Sequence, residues 1–141
     1  MLRTMSIPRK DRPAGRLVYG PVASRRFGVS LGVDPLPPKT CCFDCIYCQQ
    51  GRTTQLTTGR EDFVPVERIL EQVEQAITRG PTPDVVTLAG SGEPTLYASL
   101  GRLIRELRSL AGKPVVVLTN GALFSDPQVR REASEADVLG P

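Results

Sequence analysis

The chain has 141 residues, of which 40% are hydrophobic and 23% charged, and its formal net charge is +3. This length accommodates one compact domain, and no apolar run approaches the roughly 20 residues that a membrane-spanning helix requires. Histidine is absent, which excludes Ser-His-Asp triads, Cys-His dyads and His-ligated zinc hydrolases. Cysteines, carboxylates or a bound cofactor must therefore carry any chemistry.

The basic side chains are concentrated near the N-terminus. Residues 1–30 carry seven basic side chains and one acidic side chain. We expect residues 1–16 to form a flexible, solvated basic arm, and contact with RNA phosphates is the alternative. For Arg25 and Arg26 we favour a structural role, in which they anchor the entry loop to carboxylates, and contact with RNA phosphate is the alternative. The N-terminus lacks the apolar stretch of a secretory signal, which indicates a cytoplasmic protein.

A strand is predicted at residues 28–34, and it leads through a proline-rich turn into a segment that holds all four cysteines, Cys41, Cys42, Cys45 and Cys48. Disulfides this close in sequence would constrain little of the chain, whereas convergent thiolates suit a metal centre. Cys41-x3-Cys45-x2-Cys48 and Cys42-x2-Cys45-x2-Cys48 both fit an iron-sulfur cluster. No further cysteine follows, and no second pair completes a zinc knuckle. The spacing predicts a cluster with three protein ligands; four incidental thiols are the alternative.

The rest of the chain alternates between helices and strands. Short β-branched apolar runs predict parallel strands that are buried on both faces, and amphipathic segments around them predict helices. The strands are placed at residues 85–89 and 115–119, the helices at 65–79, 97–110 and 126–134, and a further strand begins at 136–139. This order predicts an α/β fold with parallel strands and right-handed crossovers.

Ligands of such sheets bind at the carboxyl ends of the strands. The segments that follow the predicted strands are the cysteine loop, residues 90–95, and Asn120 with Gly121. We expect the three to meet at one edge. Taken alone, residues 90–94 are typical of a strand-to-helix turn in which the helix dipole favours Glu93 as a first-turn carboxylate. Asn120 beside Gly121 is typical of a turn.

These motifs resemble the radical S-adenosylmethionine (SAM) superfamily. Cys41-x3-Cys45-x2-Cys48, with Tyr47 before the last cysteine, is similar to its cluster motif, and residues 90–94 are similar to its glycine-rich segment. Residues 19–34 are similar to the Fe-S oxidoreductases related to the wybutosine-synthesising radical SAM enzymes. The resemblance covers residues 17–141 and implies the N-terminal portion of a radical SAM core domain.

The resemblance implies a [4Fe-4S] cluster held by Cys41, Cys45 and Cys48, with SAM bound to the open iron. An electron donor such as a flavodoxin or ferredoxin would supply the electron that cleaves SAM to a 5'-deoxyadenosyl radical. That radical would abstract hydrogen from an unknown substrate, for which tRNA is one candidate. Cys42 departs from the family pattern and is either a spare thiol, an alternative ligand or a site of oxidation.

The family pattern also assigns the SAM contacts. Tyr47 would line the adenine site, while Ser91, Gly92 and Glu93 would receive the SAM ammonium. Asn120 is a further candidate contact because it lies at a strand end. No catalytic side chain is assigned.

The family core is a partial, TIM-like (β/α)6 barrel, of which this sequence predicts about the first three β/α units and the start of a fourth strand. We therefore expect a truncated barrel, or one that a second chain completes, with unpaired sheet edges that promote self-association. A non-catalytic Fe-S or zinc-binding module is the alternative function.

Overall fold

The structure is a computed structural model that describes residues 15–48 and 51–141. Most of the predicted basic arm, residues 1–14, lies outside the described residues. The strands are β1 (Val18–Ser24), β2 (Gly28–Val33), β3 (Thr40–Cys41), β4 (Gln55–Leu56), β5 (Val85–Leu88), β6 (Val115–Leu118) and β7 (Val138–Gly140). The helices are α1 (Val66–Arg79), α2 (Leu100–Ala111) and α3 (Pro127–Ala133), and a 3₁₀ turn covers Pro94–Leu96.

Five strands form one sheet in the order β1-β2-β5-β6-β7, and β3 pairs with β4 separately. The strands from β2 to β7 in that sheet run parallel, whereas β1 is antiparallel to β2. The prediction of an α/β fold with a mainly parallel sheet is confirmed. Strand β1 was not predicted, because it contains Gly20 and Pro21 and its pairing is irregular between Tyr19 and Val22.

One face of the sheet packs against the helices. Side chains that alternate along β2, β5 and β6 meet the apolar stripes of α1 and α2 in a single core, as a helix-covered parallel sheet requires. The core includes Leu31, Val33, Val86, Leu88, Val115 and Val117 from the strands, and Ile69, Val73, Leu100, Leu103, Ile104 and Leu107 from the helices. This core fixes the strand ends relative to one another.

The opposite face of the sheet carries the Tyr19 side chain of β1 and a pair of hydroxyl groups. The Tyr19 ring lies directly over Gly32, where a β-carbon would come within 2.2 Å of the ring. Its hydroxyl donates to the Ala89 carbonyl at 2.8 Å, and the Ser30 and Thr87 hydroxyls hydrogen-bond at 2.6 Å. Polar groups on this face are therefore paired close to the carboxyl edge of the sheet.

The helix bounds agree with those predicted from the sequence to within one residue, except at the start of α2. Helix α1 begins one residue after the predicted start, and Gly112, with φ of 61°, ends α2 in the left-handed region that favours glycine. Helix α2 begins at Leu100 rather than residue 97, because Ala98 and Ser99 bond to Glu61 and Asp62 instead. None of the described helices is both long and apolar enough to cross a bilayer.

Candidate functional site

A cavity of about 440 Å³ opens at the carboxyl edge of the sheet. The cysteine loop lines one side of it, the turn after β5 lines a second side, and Leu118, Thr119 and Asn120 after β6 line a third. The three segments that were expected to meet therefore lie around one space. This arrangement follows from the parallel strands, whose carboxyl ends share an edge.

The cysteine loop, residues 41–48, is held by polar contacts rather than by packing, since none of its residues is buried. The Cys48 amide donates to the Cys45 carbonyl at 3.1 Å. Asp44 accepts the Thr53 amide at 2.9 Å and pairs with Arg52 at 2.8 Å. These bonds tie the loop to the returning segment that precedes β4.

Three of the four thiols belong to the cavity wall. Cys41, Cys45 and Cys48 line it, whereas Cys42 does not. The Cys42 sulfur instead lies 3.4 Å from the Asn120 side-chain nitrogen. Burial raises the pKa of the Cys42 thiol above its ordinary value, and the hydrogen bond with Asn120 opposes this only in part.

The described residues contain no group of three Cys, Asp or Glu side chains placed to coordinate one metal ion. Thiolate ligands of a single tetrahedral ion lie at about 2.3 Å from it, and so only about 4 Å from each other. The described cysteines are not arranged as a preformed site for one such ion. Three thiols in one wall are nevertheless the donor type that iron-sulfur clusters use.

The turn after β5 approaches the cysteine loop through glycine. A β-carbon at Gly92 would lie 2.0 Å from the Thr40 carbonyl oxygen, a contact that no side chain permits. The close approach lets the Glu93 amide donate to that same oxygen at 3.2 Å. Gly92 thus brings the turn against the residue that precedes Cys41.

A buried carboxylate supports the same turn from below. Asp34, which follows β2 and is 2% exposed, accepts hydrogen bonds from the Ser91 amide at 3.2 Å and from the Leu36 amide at 3.2 Å. Gly90 packs onto this carboxylate, because a β-carbon there would lie 2.2 Å from its carbon. Asp34 therefore fixes Ser91 at the cavity wall.

The Glu93 carboxylate joins two of the three segments. Its Oε1 accepts hydrogen bonds from the Thr95 amide at 3.3 Å, from the Thr95 hydroxyl at 2.8 Å and from the Thr119 hydroxyl. Its Oε2 accepts the Asn120 amide at 2.8 Å. Glu93 also caps the 3₁₀ turn, as expected for a carboxylate at the start of a helical turn. It is 3% exposed, although it lines the cavity.

Asn120 and Tyr47 also line the cavity. Asn120 makes the predicted turn, since its Oδ1 accepts the Ala122 amide at 2.9 Å, and its side-chain nitrogen still faces the cysteine loop. Tyr47 is 83% exposed. A hydrogen bond with the Cys45 side chain raises the pKa of Tyr47 above its ordinary value.

Three residues of this site were not predicted from the sequence, namely Lys39, Asp34 and Thr119. Thr119 directly follows β6, so its position at a strand end was a usable signal. The importance of Asp34 and Lys39 comes from their burial, at 2% exposure each, and from partners distant in sequence. No local sequence pattern predicts this burial or these contacts.

A family model described as the radical SAM superfamily matches residues 36–139. A UPF0026 protein from Synechocystis sp. is 47% identical over 123 residues, which cover 86% of this chain and 46% of the relative. A UPF0026 protein from Methanocaldococcus jannaschii is 37% identical over 125 residues, covering 87% of this chain and 39% of the relative.

A protein named GTPase Obg from Brachyspira hyodysenteriae is 39% identical over 132 residues, which cover 94% of this chain and 19% of the relative. The present sequence contains no G-x-x-x-x-G-K-S/T phosphate-binding motif. The chain spans less than half the length of these relatives. No solved structure matches it.

Proposed function

Since the chain belongs to the radical SAM superfamily, we propose that it binds a [4Fe-4S] cluster through Cys41, Cys45 and Cys48 and binds SAM at the same cavity. The single observation that carries this proposal is the shared wall, in which these three cysteines face the turn after β5. We further propose that residues 17–141 form the N-terminal part of a partial (β/α)6 barrel. The order β2-α1-β5-α2-β6-α3-β7 supports that assignment.

The choice of Cys41 over Cys42 rests on where the side chains lie. Cys41 ends strand β3, and β3 is fixed both by pairing with β4 and by the contact between Thr40 and the turn after β5. Its sulfur therefore has a defined position at the cavity. Cys42 is not part of the wall. The Asn120 side-chain nitrogen lies near both sulfurs, at 3.4 Å from Cys42 and 3.9 Å from Cys41, so the position in the wall is what separates the two.

Glu93 and its neighbours are suited to an ammonium group. A carboxylate oxygen can accept two hydrogen bonds, and in the described part of the chain Glu93 Oε2 accepts one, from Asn120. Oε2 therefore keeps capacity for a charged N–H donor, which would form a charge-assisted bond in this buried position. Ser91 and Gly92 complete this side of the proposed SAM site, and Tyr47, which also lines the cavity, is proposed to line the adenine position.

The cluster and SAM together supply one chemistry, the one-electron cleavage of the sulfonium to a 5'-deoxyadenosyl radical that abstracts hydrogen from a substrate. The residues of this chain bind and orient these groups. The partners that follow are SAM and a reductant of the flavodoxin or ferredoxin class. Because the chain spans less than half of its relatives, residues beyond these 141 are proposed to complete the substrate pocket.

Anaerobic reconstitution of the 141-residue chain tests this function. We expect a reduced [4Fe-4S] signal in electron paramagnetic resonance (EPR) that changes when SAM is added. Replacing Cys41, Cys45 or Cys48 by alanine should each abolish the signal and lower bound iron at least tenfold. Cys42→Ala is the matched control, and it should retain both the iron and the response to SAM.

Two outcomes contradict the proposal. Stoichiometric zinc without a reduced cluster signal would identify a zinc-binding module instead. Loss of iron in Cys42→Ala with retention in Cys41→Ala would replace the ligand set, while leaving a cluster function in place.

A further inference from the structure

Lys39 is a buried cation in the wall of the cavity. It is 2% exposed and lies between the proline-rich turn and β3. Its φ is 51°, in the left-handed region that is costly for a residue with a side chain, and it is the only non-glycine residue of the described ranges with this conformation. A strained backbone at a binding site requires surrounding contacts that hold it.

The main chain of Lys39 provides those contacts. Its amide donates to the Ser91 hydroxyl at 3.1 Å. Its carbonyl accepts from the Thr54 amide at 3.2 Å and from the Gln55 amide at 3.1 Å. Lys39 is thus fixed at once to the turn after β5 and to the segment that returns from the cysteine loop, so its side chain starts from a defined position.

The side-chain nitrogen of Lys39 contacts a cysteine. Its Nζ donates to the Cys48 sulfur at 3.4 Å, and no carboxylate among residues 15–48 and 51–141 lies within ion-pair distance of it. A buried ammonium without an anionic partner is costly. A negatively charged sulfur, as a cluster ligand carries, would satisfy it.

We propose that Lys39 is a positioning residue that sets the reduction potential of the bound cluster, by donating a charge-assisted hydrogen bond to the sulfur of Cys48. The inference rests on the proposed function, because it requires a cluster at Cys48. Reduction transfers one electron from a flavodoxin- or ferredoxin-type donor to the cluster, and no bond or proton changes place. The added negative charge is stabilised by the nearby ammonium, so Lys39 raises the potential.

The test compares midpoint potentials of reconstituted variants, measured without SAM by following the reduced EPR signal. Lys39→Met removes the charge and the donor but keeps an unbranched side chain. We expect its ratio of reduced to oxidised cluster at fixed potential to fall about tenfold, equivalent to about 59 mV for one electron. Lys39→Arg should stay within about twofold of wild type, because it keeps both charge and donor.

Two further variants control the comparison. Lys113→Met removes a lysine that precedes β6, at the amino edge of the sheet, and should leave the potential unchanged. Lys39→Gln keeps an N–H donor without the charge, and its potential should lie between those of Lys39→Met and wild type. It also provides a second uncharged side chain if Lys39→Met binds less iron.

Each contrary outcome is distinct from failure of the proposed function. A full iron content with an unchanged potential in Lys39→Met overturns the inference alone. Weaker SAM binding of Lys39→Met with an unchanged potential would show that the Lys39 side chain binds SAM, and this also overturns the inference. If neither Lys39→Met nor Lys39→Gln assembles a cluster, Lys39 is required for cluster assembly rather than for setting the reduction potential, and the inference is overturned. A wild-type chain that forms no cluster refutes the proposed function itself.

Discussion

The sheet and the cysteine loop are stabilised in different ways. All four residues of β5 are buried, whereas none of residues 41–48 is. Ile46 and Tyr47 are 89% and 83% exposed, while Leu103 in α2 is fully buried. Apolar burial therefore stabilises the sheet, and a small number of polar bonds positions the loop.

This difference separates stability from ligand binding. The apolar core contains no residue of the loop, so we expect the sheet to fold independently of it. The loop in turn depends on the rest of the fold for its position. The contact of Gly92 with Thr40 and the Lys39 amide bond to Ser91 hold its start, and the Lys39 Nζ contacts Cys48 at its end. Substitutions in the two regions should thus affect different measurements.

The largest effect on stability is expected in the core. Leu103→Ala removes a fully buried side chain and should lower the free energy of unfolding by about 2–5 kcal/mol, because it loses apolar contact and leaves a cavity. Urea denaturation followed by circular dichroism measures this change. The slope of the transition should remain that of wild type.

Ile46→Ala is the matched substitution in the loop. Since Ile46 is 89% exposed, its free energy of unfolding should stay within about 0.5 kcal/mol of wild type. A cost as large as that of Leu103→Ala would show that the loop packs against the rest of the protein, and the contrast between the two regions would fail.

A smaller effect is expected at Glu93, where the two regions meet. Glu93→Gln keeps the shape of the side chain but replaces one acceptor oxygen by an NH2 donor. That donor then faces either the Asn120 main-chain amide or the hydroxyls of Thr95 and Thr119. We expect a loss of about 1–3 kcal/mol, since bonds to a buried charge are involved. Urea denaturation measures this loss, and SAM binding to the reconstituted chain should weaken in parallel.

Glu67→Gln is the control for Glu93. Glu67 pairs with Arg102 at 2.7 Å on the surface, where solvent screens the interaction, so its unfolding curve should follow that of wild type. Equal losses in the two variants would mean that Glu93 contributes no more than a surface carboxylate, contrary to its four hydrogen bonds.

The sheet was predictable because its signals are local. Strands β5 and β6 stand out as continuous β-branched runs, and the spacing of Ile69 and Val73 marks α1. Strand β1 lacks such a signal, since Gly20 and Pro21 interrupt it and antiparallel pairing with β2 provides its order. The start of α2 was placed too early because its true limit depends on Asp62, which is distant in sequence.

The site was predictable only where residues follow strands or form a known spacing. Cys41, Cys45 and Cys48, Ser91 to Glu93, and Asn120 met one of these conditions, and the structure brings them around one cavity. Lys39 met neither. Its role depends on burial and on a contact with Cys48, which no periodicity encodes. Pairwise contacts between loops are decided by the fold as a whole, so local patterns do not reveal them.

The smallest expected effect lies at the far edge of the sheet, where Asp137 holds β7 to β6. Its Oδ2 accepts the Val115 amide at 2.8 Å and Arg108 at 3.1 Å. The Val115 hydrogen bond is the largest effect and lowers the pKa of Asp137 below its ordinary value of 3.8; burial opposes it, and Arg108 adds further lowering. The stabilisation is therefore present above pH 3.8 and is lost as the pH falls through the lowered folded pKa.

Asp137→Asn should remove this part of the acid dependence. Between about pH 6 and about pH 3, its free energy of unfolding should fall less than that of wild type, by a small amount because the side chain is 40% exposed. Asp126→Asn is the control, since asparagine caps α3 as well as aspartate does. If the free energy of unfolding of Asp137→Asn falls toward acid pH as much as that of wild type, β7 is held by its main-chain pairing alone.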